Sequence, residues 1–140
     1  MKAAVLGAAA VIGGAIGSLL GGMDAALQTL LIFMGVDYVT GLVVAGVFGT
    51  SDKSDSGRLD SHAGWKGLCR KGVTLLVVLV AAQLDTVLGM TIVRDAAIYA
   101  FIANECISII ENAGLMGIPI PNAVMNAIET LQNKDKPSEK

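Results

Sequence analysis

Residues 3–23 read AAVLGAAAVIGGAIGSLLGGM, twenty-one consecutive positions without a charged side chain. A helix rises about 1.5 Å per residue, so roughly 20 such residues are what it takes to cross the hydrocarbon of a bilayer. Met1-Lys2 ahead of the run also suits the start of a secretory signal, but the run is longer than a typical signal core and lacks a small-x-small cleavage site at its end. It is therefore read as a first transmembrane helix over 3–22. Gly21-Gly22-Met23-Asp24 follows as a tight turn, since paired glycines end a helix and accept positive φ.

Outward from this stretch the same charge map repeats. Residues 25–51 contain only Asp37, residues 72–93 only Asp85, and residues 96–110 only Glu105. The 140-residue chain is 54% hydrophobic and 16% charged, and its mean hydropathy is +0.66. An ordinary soluble domain carries about 25% charge and rarely leaves such gaps. The expectation is an all-α integral membrane protein with four transmembrane helices, at about 3–22, 25–49, 72–92 and 96–113. Residues 1–118 would form one transmembrane domain and 119–140 an amphipathic, charged cytoplasmic tail.

Between the second and third spans lies a polar loop, 50–71. Its first half, Thr50 to Gly57, is rich in Ser, Asp and Gly and reads as flexible. Leu59, Ala63, Trp65 and Leu68 among basic residues predict a short interfacial helix, with Trp65, Lys66, Arg70 and Lys71 as its anchor. Val93-Arg94-Asp95 is expected to be a polar turn. Val124, Ile128 and Leu131, spaced i, i+4, i+7, mark one apolar stripe on a C-terminal helix.

Orientation follows from Lys and Arg counted by side. With both termini and the 50–71 loop together, nine fall on that side and only Arg94 on the other, which places the nine in the cytoplasm. Insertion arithmetic separates the second span from the fourth. Residues 25–49 hold twelve Leu, Ile, Val or Phe, at about −0.3 to −0.6 kcal/mol each, which outweighs roughly +3 kcal/mol for Asp37. Residues 96–113 hold six, about −3 kcal/mol together, against Glu105 and Glu111. The fourth span is thus marginal alone and needs partner helices.

Gly13, Gly17 and Gly21 repeat every fourth residue after Ala9, with Gly14, Ser18 and Gly22 in a parallel row. In lipid, close backbone approach replaces the hydrophobic effect as a cause of helix association, so these rows predict a packing face. Asp37, Gly41, Ala45 and Gly49 align on the second span and Ala81, Asp85 and Gly89 on the third. On the fourth, Ala100, Asn104, Ser108 and Asn112 make a polar row beside Glu105. A carboxylate facing lipid costs several kcal/mol, so Asp37, Asp85 and Glu105 are expected to face a bundle interior, water or a neighbouring copy. With no intramembrane cation to pair them, protons, cations or water would have to neutralise them.

No catalytic constellation is present. His62 is the one histidine and sits in the polar loop, so zinc clusters and Ser-His-Asp triads have no material. There is no phosphate-cradling G-x-x-x-x-G-K-[ST] stretch and no Lys/Arg run of the kind that binds nucleic acid. Neither an enzyme nor a cofactor is expected. Cys69 and Cys106 read as free thiols.

Three stretches then carry a resemblance: Asp37-Tyr38-Val39-Thr40-Gly41; Gly64-Trp65-Lys66-Gly67-Leu68-Cys69-Arg70-Lys71; and Asn104-Glu105-Cys106-Ile107-Ser108-Ile109-Ile110-Glu111-Asn112 followed by Gly117-Ile118-Pro119-Ile120-Pro121. The ordered set, running from about 37 to 131, resembles the phage holin family that includes toxin-release holins of Gram-positive bacteria. The resemblance implies a small inner-membrane protein that homo-oligomerises at a set time into a lesion, releasing an endolysin or a toxin without having to bind it. It makes Asp37, Trp65, Lys66, Lys71, Asp85, Asn104, Glu105, Ser108, Glu111 and Asn112 the functional candidates. A small proton-coupled multidrug exporter is the alternative, although its usual carboxylate among aromatics in the first span is missing here. A rotary-ATPase ring hairpin lacks its polar connection at Gly21 to Asp24, and a passive membrane scaffold is a third class.

Overall fold

A computed structural model describes residues 1–134. Its elements are α1 (Lys2–Leu19), α2 (Ala25–Val43) continued by a π-helical turn (Val44–Phe48), α3 (Ser61–Leu88), α4 (Ile92–Leu115) and α5 (Asn122–Lys134). All regular structure among the described residues is helical. Three of the helices are long and apolar enough to cross a membrane: α1, α2 with its π-turn, and α3.

The boundaries have local chemical causes. Gly21 and Gly22 take φ of 91° and 101° after α1, a region closed to most side chains. Asp24 then caps α2, its carboxylate accepting from the Leu27 N–H at 3.0 Å. Asp60 caps α3 through the His62 N–H. At the far end of α3, Gly89 is left-handed and the Met90 N–H returns to the Asp85 carbonyl at 2.9 Å, a Schellman closure.

Two expectations need correction. The interfacial helix and the third span are one uninterrupted 28-residue helix, α3, because backbone hydrogen bonding runs straight through the change from basic to apolar side chains. Nor is Val93-Arg94-Asp95 a turn. The break falls at Gly89 to Thr91, and α4 starts at Ile92 because both oxygens of Asp85 accept backbone N–H groups of its first turn, from Val93 at 3.0 Å and Arg94 at 2.9 Å. Asp85 is thus a cap that ties α3 to α4.

Helix α4 is the hub, packed against α2, α3 and α5. It runs parallel to α2, from the Asp24–Arg94 contact at one end to the Thr40–Asn112 contact near the other. The core joins Leu27, Leu30 and Met34 of α2 with Val78 of α3 and Ile98 and Ile102 of α4, and Leu20 closes it. Helix α5 lays Leu131 on this core and buries Ile128, so the expected amphipathic tail packs back on the bundle. Helix α1 is the opposite case. Gly17 is its one buried residue, while Val5, Leu6, Val11, Ile12, Ile16 and Leu19 are exposed.

Candidate functional site

Continuity of α3 decides the site. On one helix, Lys71, Leu75, Val78, Ala82 and Asp85 fall at helical spacing on one face, and all are buried or half-buried. Lys71 is thereby drawn off the interface, where it was expected as an anchor, and into the bundle. Its ammonium lies 2.6 Å from an Asp37 carboxylate oxygen and 2.8 Å from one of Glu105. Asp37 and Glu105 are 5% and 6% exposed, and the Lys71 side chain 15%. Gly64 and Gly67 give the first turns of α3 room beside the Tyr38 ring, and this close approach brings the basic segment over α2.

Asn112, two turns after Glu105 on the same face of α4, completes the group. Its amide donates to the Asp37 carboxylate at 3.1 Å, the Asp37 carbonyl at 3.2 Å and the Thr40 hydroxyl at 2.9 Å. From the polar loop, Lys53 donates to Ser108 at 3.4 Å and comes within 4.0 Å of Asp37. Two carboxylates and two ammonium groups therefore balance. The expectation that the intramembrane carboxylates have no basic partner is corrected: Lys71 serves two of them, and the third, Asp85, accepts backbone N–H groups. A buried ion pair adds little net stability over an apolar replacement, but removing one partner costs about 3–5 kcal/mol because the other charge stays buried.

The cluster forms the floor of a cavity of about 370 Å³ between α2, the polar loop, the start of α3 and α4. Arg58, Arg70, Asn104 and Glu111 stand at its walls. Trp65 and Lys66 point away and are exposed. Among the described residues no group of three or more His, Cys, Asp or Glu is placed to hold a metal ion. Both cysteines are free.

A second ionic joint lies at the opposite end. Arg94, itself buried, donates from both terminal nitrogens to Asp24, at 2.8 and 3.2 Å. The same guanidinium donates to the carbonyls of Leu20 and Gly22 and to Asp95. One side chain thus ties the α1–α2 turn to the start of α4. The hydrogen bond from Arg94 holds the Asp24 carboxyl below its ordinary value of 3.8. Counting charges by side registered Arg94 only as the lone outer cation; the signal available was its position, opposite Asp24 if the two turns share a side.

The expected packing face of small residues divides. Gly13 has open space beside it, and Gly17 meets only Met23 of its own turn. Gly21 belongs to the turn: at φ of 91° an added Cβ would sit on the Arg94 side chain. Gly49 ends the π-turn in the left-handed region, so its residue type answers to the backbone and not to packing. Ala45 is buried, and Gly41 lies beside Asn112 and Lys53.

Apolar helices of spanning length, tied by internal ion pairs and carrying no catalytic constellation among the described residues, define an α-helical membrane protein. The sequence comparisons give the family. The chain matches the bacteriophage holin family over residues 14–133 and belongs to it. It is 30% identical over 116 residues, 81% of this chain and 80% of the other, to a probable holin of Bacillus phage phi105. Similarity also extends to an uncharacterized protein of Listeria innocua, 36% identical over 129 residues covering 91% and 84% of the two chains. An uncharacterized 14.9 kDa protein of Clostridium perfringens is 39% identical over 116 residues, with 81% and 82% covered. No solved structure matches the chain.

Proposed function

We propose that this protein is a holin that homo-oligomerises in the bacterial cytoplasmic membrane and opens a timed lesion through which an endolysin or a toxin leaves the cytoplasm. The observation that carries the reading is the family match over residues 14–133. The structure supports it with a polar helix sheltered inside one chain and an apolar helix left open on its surface. No enzymatic step is needed for this role, and the endolysin need not bind.

In this reading α4 is the fourth span. It lies parallel to α2 and at the same depth, and Lys71 offsets the charge of Glu105, which was the main obstacle to its insertion. The N-terminus, the polar loop and the end of α4 are cytoplasmic, and the Asp24–Arg94 joint is external. The open face of α1 around Gly13 is where copies meet. The cluster of Asp37, Lys71, Glu105 and Asn112 controls assembly by fixing α4 against α2 and α3. An exporter would want a carboxylate free to exchange protons with a substrate, and Asp37 and Glu105 are already engaged.

Purified protein in vesicles of phosphatidylglycerol and phosphatidylethanolamine provides the test. Release of a protein-sized dextran, rising steeply with protein-to-lipid ratio and accompanied by a crosslinked ladder of oligomers, is expected. Retention of the dextran while small lipophilic cations are transported would overturn the proposal in favour of the exporter.

A further inference from the structure

Helix α5 puts polar groups at a depth where lipid does not accept them. It turns back at Pro119-Ile120-Pro121 and runs alongside α4, and thirteen residues at about 1.5 Å each carry it about 20 Å. Its far end is fixed by two contacts. Leu131 packs against the core cluster, and the Lys134 ammonium stands 5.7 Å from the centre of the Tyr99 ring, only seven residues from the start of α4. Because α4 lies beside α2 over its length, this end of α5 reaches the outer half of the bundle.

At 100° per residue, Asn122, Asn126, Glu129 and Asn133 fall within about 60° of one another on α5. Val124, Ile128 and Leu131 form the opposite stripe, and of these Ile128 and Leu131 sit against the bundle. All four polar residues are exposed. A charged side chain costs roughly 2.5–3.5 kcal/mol at the centre of a bilayer, so a face carrying Glu129 is excluded from lipid. The apolar surfaces of α2 and α3 meet lipid without that cost.

We infer that the polar stripe Asn122–Asn126–Glu129–Asn133 lines a water-filled lumen enclosed by several copies, with α4 behind it and α2 and α3 on the lipid side. This rests on the holin reading and goes beyond it by assigning the wall of the lesion to a helix outside the spanning segments. Each copy then contributes one carboxylate, Glu129, to the lumen.

The test uses full-length protein with Cys69→Ser and Cys106→Ala, reconstituted in the vesicles described above. A short bismaleimide should join Tyr99→Cys to Lys134→Cys within one chain. Nitroxide labels at Asn126→Cys or Glu129→Cys should be relaxed at least tenfold more by a water-soluble nickel chelate than labels at Ile32→Cys or Val80→Cys. If Tyr99→Cys fails to fold, hydrogen exchange of the unaltered protein takes the place of crosslinking. Amides of 126–134 should then exchange at least 100-fold more slowly than in the free peptide, because a helix this short is not stable in isolation. Absence of both crosslinking and protection overturns the inference by placing α5 away from α4. A crosslinked α5 that the chelate cannot reach overturns it by showing the stripe covered. Dextran release from the same vesicles is read separately, so failure of the holin reading is distinguished from failure of the lumen assignment.

Discussion

Two ionic joints hold α4 against the rest of the molecule, and they differ in what surrounds them. At the inner joint Lys71, Asp37, Glu105 and Asn112 are enclosed by three helices. At the outer joint Arg94 is buried, but the Asp24 side chain it grips is 51% exposed. The same chemistry therefore has two consequences. An enclosed charge that loses its partner stays uncompensated, whereas an exposed one is rehydrated at little cost. The inner joint determines whether the bundle holds together, and the outer joint sets the geometry of its turn.

Lys71→Met breaks that contrast most severely. It leaves two buried carboxylates facing each other, with a destabilisation of about 3–5 kcal/mol expected. Folded protein should be lost from the membrane, as read by protease sensitivity and accumulation. The triple variant with Asp37→Asn and Glu105→Gln should recover most of it, and no recovery would mean that Lys71 acts by other means.

Gly13→Leu leaves both joints alone and fills the open face of α1. Monomer stability should be unchanged while large oligomers disappear from crosslinking ladders. A normal ladder would remove α1 from the assembly surface.

Asp37→Asn is gentler, because Lys71 still has Glu105 and the excess positive charge falls to Lys53, whose side chain is half exposed. Insertion should be intact and lysis timing shifted. Timing that stays the same at equal expression would count against control by the cluster.

The smallest effect belongs to Asp24→Asn. Asp24 has a lowered folded-state value, so its contribution is present above 3.8, its ordinary value, and lost as pH falls through that value toward the folded one. Because the Asp24 side chain is half exposed and the buried Arg94 keeps Asp95 and the carbonyls of Leu20 and Gly22, the contribution is below about 1 kcal/mol. Acid unfolding followed by intrinsic fluorescence should lose a shallow slope below pH 4 in the variant, and an identical slope would show the joint to be energetically silent.

The same contrast explains what the sequence made legible. Spans α1 and α2 and the turn at Gly21-Gly22 follow from runs of apolar residues and from glycine, both local properties. Asp37 and Glu105 stood out because a carboxylate is conspicuous in such a run. Lys71 did not, since its burial depends on a helix running unbroken from Ser61, and a reading that divides polar from apolar segments ends the helix where the charges stop. Arg94 was missed for a related reason: two of its partners, the carbonyls of Leu20 and Gly22, are backbone groups that leave no trace in composition, and its pairing with Asp24 requires the two turns to share a side. Helix α4 reads as a poor span because hydropathy scores each segment as though alone in lipid, and neither its packing against three neighbours nor the pairing of Glu105 with Lys71 is a local property of the segment.

Controlled expression in a Gram-positive bacterium, following membrane potential and culture density with and without a co-expressed endolysin, tests the holin role. A holin gives abrupt depolarisation after a delay, with wall lysis only when the endolysin is present. Expression to the same level without depolarisation, or with altered resistance to lipophilic cations in its place, would contradict it.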